Sequence, residues 1–96
     1  MVRYAEHFNI DTSIENRVID LVSEVGELSK EVLKSTNYGK SDFAITDAFK
    51  EELGDVYFSL LLLAEKTNVD LEELLESVLL KYRNRLVKRN NIGSKN

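Results

Sequence analysis

The sequence predicts an all-α fold, an antiparallel helical bundle that is completed by oligomerisation. Three observations lead to this prediction. Proline is absent and only four glycines occur among 96 residues, so the commonest helix breakers are rare. Apolar residues recur at steps of three and four along most of the chain. No stretch alternates apolar and polar residues over more than a few positions, as half-buried strands do.

The first of three expected helices opens at the segment TSIE, where Thr12 and Glu15 have the spacing of a capping box. Its apolar residues lie three or four positions apart, and they are Ile14, Val18, Leu21, Val22, Val25, Leu28 and Val32. The helix should fray near Thr36, because the segment STNYGKSD that follows has the composition of a loop.

The second helix should begin between Asp42 and Asp47 and end near Lys66. Its expected inward side chains are Ala48, Phe49, Leu53, Val56, Leu60 and Leu63. Tyr57, Leu61 and Leu62 widen the apolar surface beyond one face, so we expect this helix to be buried on two sides.

The third helix has the clearest start. Asp70 is placed as the N-cap, Glu73 as its capping-box partner, and Val69 and Leu74 as a hydrophobic staple. The helix should run to about Lys88, followed by a frayed tail over residues 90–96. We therefore expect one domain, 1–96, with a core of about 12–88 and an N-terminal arm over 1–11. Three helices leave one side of a four-helix arrangement open, which predicts a homodimer or homotetramer.

Composition and charge exclude several classes of protein. The chain is 43% hydrophobic and 31% charged, too apolar for a disordered segment and too interrupted by charge for a membrane protein. A net charge of -4 does not favour nucleic-acid binding. Without cysteine, disulfides and thiolate metal ligands are excluded. Because the N-terminus also lacks a signal-peptide pattern, we expect a cytoplasmic protein that binds neither nucleic acid nor membranes.

Two pairs of carboxylates share one spacing. The segment SEVGEL places Glu24 and Glu27 three residues apart, and EELGD places Glu52 and Asp55 three residues apart. Side chains at i and i+3 of a helix lie on one face, so each pair can close on a single divalent ion. Two such helices side by side would form a hard oxygen site for Mg²⁺, or for Mn²⁺ as a substitute. The alternative is that each pair is a solvated helix edge.

A glycine lies inside each carboxylate pair. Gly26 and Gly54 each cost about 1 kcal/mol relative to alanine in the middle of a helix. A mid-helix glycine often marks the close approach of another backbone or a ligand. This weakens the solvated-edge interpretation, and at this point both interpretations stay open.

At these residues the chain resembles the MazG-type, all-α nucleoside triphosphate pyrophosphohydrolases. That family's pattern is EExxE followed, after a spacer, by EExxD, and it occurs here as SEVGE at 23–27 and EELGD at 51–55. The resemblance covers residues 12–88 and implies a nucleoside triphosphate substrate, cleaved between the α and β phosphates. It also implies four magnesium ligands: Glu24, Glu27, Glu52 and Asp55.

The resemblance further implies that Glu24 or Glu27 orients the attacking water. Ser23 replaces the first glutamate of the pattern, which puts the role of that outer acid in question. Related proteins carry a lysine and an arginine at about the spacing of Lys81 and Arg85, so these two are candidate contacts to the substrate phosphates. The alternative for both cations is stabilisation of the dipole of the third helix.

The N-terminal arm carries His7, the only histidine, which is too few for the paired ligands of a di-iron carboxylate bundle. Tyr4 and Phe8 are expected to pack the arm against the bundle. Two other functions stay open: a phosphoribosyl-ATP pyrophosphohydrolase-like enzyme, and a helical interaction module without catalysis.

Overall fold

The computed structural model describes residues 4–8 and 10–93. It contains four helices: α1 (Tyr4–His7), α2 (Ile14–Ser35), α3 (Asp47–Thr67) and α4 (Leu71–Gly93). The described residues include no strand. The all-α prediction is confirmed, with three long helices in the predicted order and a single-turn helix, α1, that the sequence did not indicate.

Helix α2 is capped one residue later than predicted. The Oγ of Ser13 accepts a hydrogen bond from the backbone N–H of Asn16 at 3.2 Å, and Ser13 is the N-cap. Thr12 instead accepts from the side-chain amide of Asn16 at 2.9 Å. The capping box of Thr12 and Glu15 is therefore wrong, because Ser13 has the same capping chemistry and stands directly before the first helical residue. The helix ends at Ser35, close to the predicted position.

The starts of α3 and α4 agree with prediction. Thr46 caps α3 by accepting from the N–H of Phe49 at 3.0 Å. Asp70 caps α4 by accepting from the N–H groups of Glu72 and Glu73 at 2.9 and 3.3 Å. Helix α3 ends at Thr67, where Asn68 takes a left-handed conformation with φ of 55°.

The end of α4 differs from prediction. The helix continues through Gly93, so residues 90–93 are helical and not part of a frayed tail. The sequence KRNNI contains neither proline nor glycine, and nothing in it stops the helix before Gly93. The last three predicted tail residues, 94–96, lie outside the described part of the chain.

Helices α2 and α3 form an antiparallel hairpin. Glu24 of α2 lies beside Asp55 of α3, whereas Arg17, earlier in α2, lies beside Leu62, later in α3. The connecting loop reverses the chain through three successive residues with positive φ, namely Asn37 (49°), Tyr38 (59°) and Gly39 (87°). The N-terminal end of α2 thereby lies beside the C-terminal end of α3. The two carboxylate motifs lie side by side near the middle of the hairpin.

The core of the single chain is small. Among the residues whose burial the structure describes, the buried apolar ones are Ala5, Leu62 and Ala64. On α3 the buried line is Ser59, Leu62 and Ala64, whereas Leu53, expected to face inward, is 48% exposed. Ala48 is also exposed, whereas Phe49, Val56, Leu60 and Leu63 are half-buried. The predicted inward stripe is therefore only partly buried, and the most buried residues of α3 lie on an adjacent side of this broadly apolar helix.

The N-terminal arm packs on the C-terminal half of α3. The carboxylate of Glu65 accepts hydrogen bonds from the backbone N–H groups of Tyr4 and Ala5, at 2.9 and 3.2 Å. The rings of Tyr4 and Phe8 meet Phe58 edge to face, at centroid distances of 6.2 and 6.1 Å. The predicted packing of Tyr4 and Phe8 is confirmed. His7 is exposed, as expected of a surface residue.

Helix α4 extends away from the hairpin, and every residue from 72 to 90 is exposed. The radius of gyration is 18.4 Å, against about 12–13 Å for a compact domain of this length. The accessible surface is 7881 Å², against about 5,600 Å² for a monomeric protein of this mass. The isolated chain thus exposes far more surface than a compact monomer. Within the described ranges, no helix combines the length and apolar content that crossing a bilayer requires.

Candidate functional site

Three carboxylates converge where α2 crosses α3. Glu24 comes from α2, and Glu52 and Asp55 come from consecutive turns of α3. One carboxylate oxygen of each lies within 4.8 Å of the others, and we call this group the acidic trio. Glu24 and Glu52 are half-buried and Asp55 is exposed, so the trio opens to solvent on one side.

The electrostatics of the acidic trio suit a divalent cation. Partial burial, and then the charges of Asp55, Glu24, Glu27 and Glu31, raise the pKa of Glu52. No lysine or arginine in the described ranges forms an ion pair with a member of the trio. Three oxygen donors without a counter-charge match the ligand preference of Mg²⁺ and Mn²⁺, so the residues present fit such an ion.

The fourth predicted ligand, Glu27, lies outside the acidic trio. Its side chain is 51% exposed, and a carboxylate oxygen is 3.7 Å from the Nζ of Lys30. It is near enough to Glu52 to contribute to the raised pKa of that carboxylate. Ser23, which replaces the first acid of the sequence pattern, and Glu51 are both exposed.

Glu31 is a further carboxylate that the sequence motifs did not indicate. Its side chain is only 17% exposed, it pairs with the Nζ of Lys34 at 3.4 Å, and its charge contributes to the raised pKa of Glu52. The signal was present in the sequence, since Glu24, Glu27 and Glu31 follow the helical spacing of three and four. Continuing this spacing one helical turn beyond Glu27 predicts that Glu31 lies on the same face of α2.

An open cavity of about 550 Å³ adjoins the acidic trio. Glu24 and Asp55 line one end. The rest of the wall is partly apolar and partly polar, and its residues are Ile10, Thr12, Asn16, Arg17, Asp20, Phe58, Ser59 and Leu62. The cavity therefore runs from the carboxylates toward the N-terminal arm, between the two helices.

Arg17 secures the far end of this cavity. It is 5% exposed, donates a hydrogen bond to the backbone carbonyl of Ile10, and has an Nη atom 3.8 Å from a carboxylate oxygen of Asp20. Burying a guanidinium is unfavourable without such partners. The sequence did not single out Arg17, because an arginine beside an apolar stripe ordinarily extends into water.

The two candidate phosphate-binding residues lie on α4. The fold of a single chain does not bring them to the acidic trio. Lys81 and Arg85 lie over the ring of Tyr82, at 5.1 and 5.5 Å from its centroid. In the part of the chain that the structure describes, neither cation pairs with a carboxylate. They share an exposed face of α4 with Lys88, Ser77 and Asn84.

The glycines inside the two motifs are open to solvent. A Cβ added at Gly26 or Gly54 would meet nothing within 4 Å. These glycines predicted the close approach of another backbone or a ligand. None of the chain's own described residues makes that approach.

Replacing Gly26 by alanine should stabilise the isolated chain by about 1 kcal/mol, since alanine lowers the conformational entropy of the unfolded state and nothing obstructs its Cβ. Denaturant unfolding of the dilute, metal-free protein followed by circular dichroism checks this. A loss of stability would contradict the prediction and would show that another molecule packs against Gly26.

Comparison with known proteins identifies the family of the chain. Residues 12–89 match the model of the MazG nucleotide pyrophosphohydrolase domain, close to the range 12–88 inferred from the motifs. The chain is also similar to the uncharacterized protein YpjD of Bacillus subtilis (strain 168), with 37% identity over 68 residues. That match covers 68% of this chain and 60% of the length of YpjD. No solved structure matches the chain. The match to the domain model spans most of the chain, which therefore belongs to the MazG nucleotide pyrophosphohydrolase domain family.

Proposed function

We propose that this protein is a Mg²⁺-dependent nucleoside triphosphate pyrophosphohydrolase. The observation that carries the proposal is the acidic trio, whose ligand atoms lie within 4.8 Å of one another beside a cavity large enough for a nucleoside. The substrate would lie with its phosphates at Glu24 and Asp55 and its nucleoside toward Phe58 and Leu62. Hydrolysis between the α and β phosphates gives a nucleoside monophosphate and pyrophosphate.

Each carboxylate has a distinct role in this proposal. Glu24, Glu52 and Asp55 would hold the cation, with Mn²⁺ as a possible substitute. When bound, such an ion supplies charge neutralisation at the phosphate oxygens. Glu27 is the better placed of the two candidate bases, because Glu24 belongs to the trio and Glu27 stands one turn away with an exposed carboxylate. It would accept a hydrogen bond from the attacking water and orient it.

We also propose that the working form is a homodimer, or a homotetramer built from such dimers. Two observations support this: the accessible surface exceeds that of a compact monomer by about 2,000 Å², and α4 exposes large apolar side chains. The latter are Leu74, Leu75, Val78, Leu79, Leu80, Tyr82, Leu86 and Val87. A second copy is the partner that can cover α4 and complete a four-helix bundle.

Oligomerisation also offers a role for the cations of α4. A triphosphate carries more negative charge than one divalent ion neutralises, so further cations are needed. Lys81 and Arg85 project from an unpacked helix, and they would reach the phosphates held at the acidic trio of a neighbouring copy.

The test of the proposed activity is pyrophosphate release from a panel of ribo-, deoxyribo- and modified nucleoside triphosphates, with and without Mg²⁺. We expect Mg²⁺-dependent release from at least one member. Including phosphoribosyl-ATP in the panel tests the alternative that the protein is a phosphoribosyl-ATP pyrophosphohydrolase-like enzyme. If no member is cleaved while Mg²⁺ still binds, the proposal fails in favour of a non-catalytic helical module.

A further inference from the structure

Ser59 is the one polar residue on the buried line of α3. It is 5% exposed and lines the cavity beside the acidic trio. Its Oγ has no hydrogen-bond partner among the residues that the structure describes. A buried hydroxyl without a partner weakens the fold, so its presence in an otherwise apolar run calls for a reason.

Two other helical hydroxyls of the chain make a local hydrogen bond that Ser59 lacks. A helical serine or threonine commonly bonds the carbonyl four residues earlier. Ser29 bonds the carbonyl of Val25 at 3.0 Å, and Thr67 bonds that of Leu63 at 2.9 Å. Ser59 makes no such bond to Asp55, although it occupies the same kind of position. The Oγ of Ser59 is therefore left without a partner in a residue that lines the cavity, where a ligand group could supply one.

The place of Ser59 along the cavity indicates which part of a ligand it would meet. It lies four positions after Asp55, a rise of about 6 Å along the helix axis. Along α3, Asp55 of the carboxylate end lies on one side of Ser59, and Leu62, an apolar residue of the cavity lining, lies on the other. In a nucleotide the sugar likewise lies between the phosphates and the base, and its hydroxyls can both donate to and accept from a serine.

We propose that Ser59 binds a sugar hydroxyl of the nucleotide and so determines which sugar the site accepts. This inference rests on the proposed function, because it takes the phosphates to lie at the acidic trio. Ser59 is a specificity-determining residue in this scheme and takes no part in the bond cleavage.

The test compares Ser59→Ala with the matched control Ser29→Ala, whose hydroxyl lies on α2 and is already bonded within its helix. Substrates are the ribo-, 2′-deoxy-, 3′-deoxy- and 2′,3′-dideoxynucleoside triphosphates of the base that is cleaved best. We expect Ser59→Ala to raise KM about fivefold to tenfold for substrates whose sugar carries the recognised hydroxyl. For substrates whose sugar lacks that hydroxyl, KM should stay unchanged. An equal effect on all four sugars, or none, overturns the inference while the proposed activity stands.

A second readout separates the two proposals. Binding of the corresponding monophosphates, measured by calorimetry in the presence of Mg²⁺, should show the same sugar dependence. If no triphosphate is cleaved, the proposed function fails, and hydroxyl-dependent monophosphate binding lost in Ser59→Ala still sustains the inference. If no sugar-dependent binding is found, the inference fails as well.

Stability separates a binding role from a structural one. Ser59→Ala should melt at the same temperature as the parent protein or higher, because it removes an unpartnered buried hydroxyl. A lower melting temperature with unchanged nucleotide binding would assign Ser59 to the fold and overturn the inference. Should the alanine variant not fold, Ser59→Cys keeps nearly the same volume with a weaker hydrogen-bonding group and makes the same comparison.

Discussion

Replacing Glu52 by glutamine should lower Mg²⁺-dependent pyrophosphate release at least about 100-fold. Loss of a group that only supports a metal ligand typically costs 10- to 100-fold, so loss of a ligand itself should cost more. Glu52 lies within 4.8 Å of both Glu24 and Asp55, and the substitution keeps its size and shape. The expected loss is therefore one of charge and metal affinity and not of folding.

The neighbouring residue supplies the control for this variant. Glu51→Gln removes the same charge one position away, but Glu51 is exposed and outside the acidic trio. We expect it to retain nearly full activity and Mg²⁺ affinity. Kinetic assays combined with Mg²⁺ titration by calorimetry measure both effects. Equal activity of Glu52→Gln and the parent protein would remove the acidic trio from the mechanism.

The same variant should have the opposite effect on the metal-free fold. The pKa of Glu52 is raised above its usual value near 4.5, so charging this group costs more in the folded state than in the unfolded state. Its contribution to stability is fully present below pH 4.5 and is lost as the pH rises through the raised pKa. At pH 7 without metal, Glu52→Gln should melt above the parent protein, and the difference should shrink on acidification.

Magnesium should reverse this order at neutral pH. A cation that binds only the folded state stabilises it, and the parent protein has the intact site. Thermal unfolding at pH 7 with and without Mg²⁺, for the parent and Glu52→Gln, measures this. A metal-free variant that melts below the parent would show that Glu52 supports the fold, and the electrostatic account would be wrong.

Sequence reasoning succeeded where the controlling interactions are local. The cap at Asp70 and the start and end of α3 follow from residues a few positions apart. The pairing of Glu52 with Asp55 follows likewise from their i, i+3 spacing. Helix α1 could not be predicted in this way, because its first N–H groups are bonded by Glu65, sixty residues away along the chain.

The sequence named the three residues of the acidic trio but not their arrangement. Periodicity indicated that Glu24 and Glu27 lie on one face of α2, but it could not say which of them would reach α3. That choice depends on the rotation of α2 about its axis, which is determined by packing. Arg17 and Ser59 were missed because a polar residue beside an apolar stripe has the same sequence signature whether it is buried or solvated.

Introducing charge on the apolar face of α4 should dissociate the proposed oligomer. Leu75 and Leu79 are one turn apart and 57% and 58% exposed in the single chain. With both changed to aspartate, the interface would have to bury two unpaired charges, which is strongly unfavourable. We expect the parent protein to be a dimer or tetramer by light scattering coupled to size exclusion, and Leu75→Asp/Leu79→Asp to be a monomer that melts at a lower temperature. The exposed polar change Glu76→Gln is the control on the same helix.

Mixing two variants, each of which we expect to be less active than the parent protein, tests whether α4 completes the site of a neighbouring copy. One carries Glu52→Gln and keeps Arg85, and the other carries Arg85→Ala and keeps the acidic trio. If Arg85 acts between copies, mixed oligomers contain an intact site formed by the trio of one copy and the Arg85 of the other. Pyrophosphate release should then recover to about a quarter of the parent activity, because half of the dimers in a statistical mixture are mixed and each has one of its two sites restored. A tagged copy verifies that subunits exchange in the mixture. If pyrophosphate release does not recover although subunits exchange, Arg85 does not act on the acidic trio of a neighbouring copy.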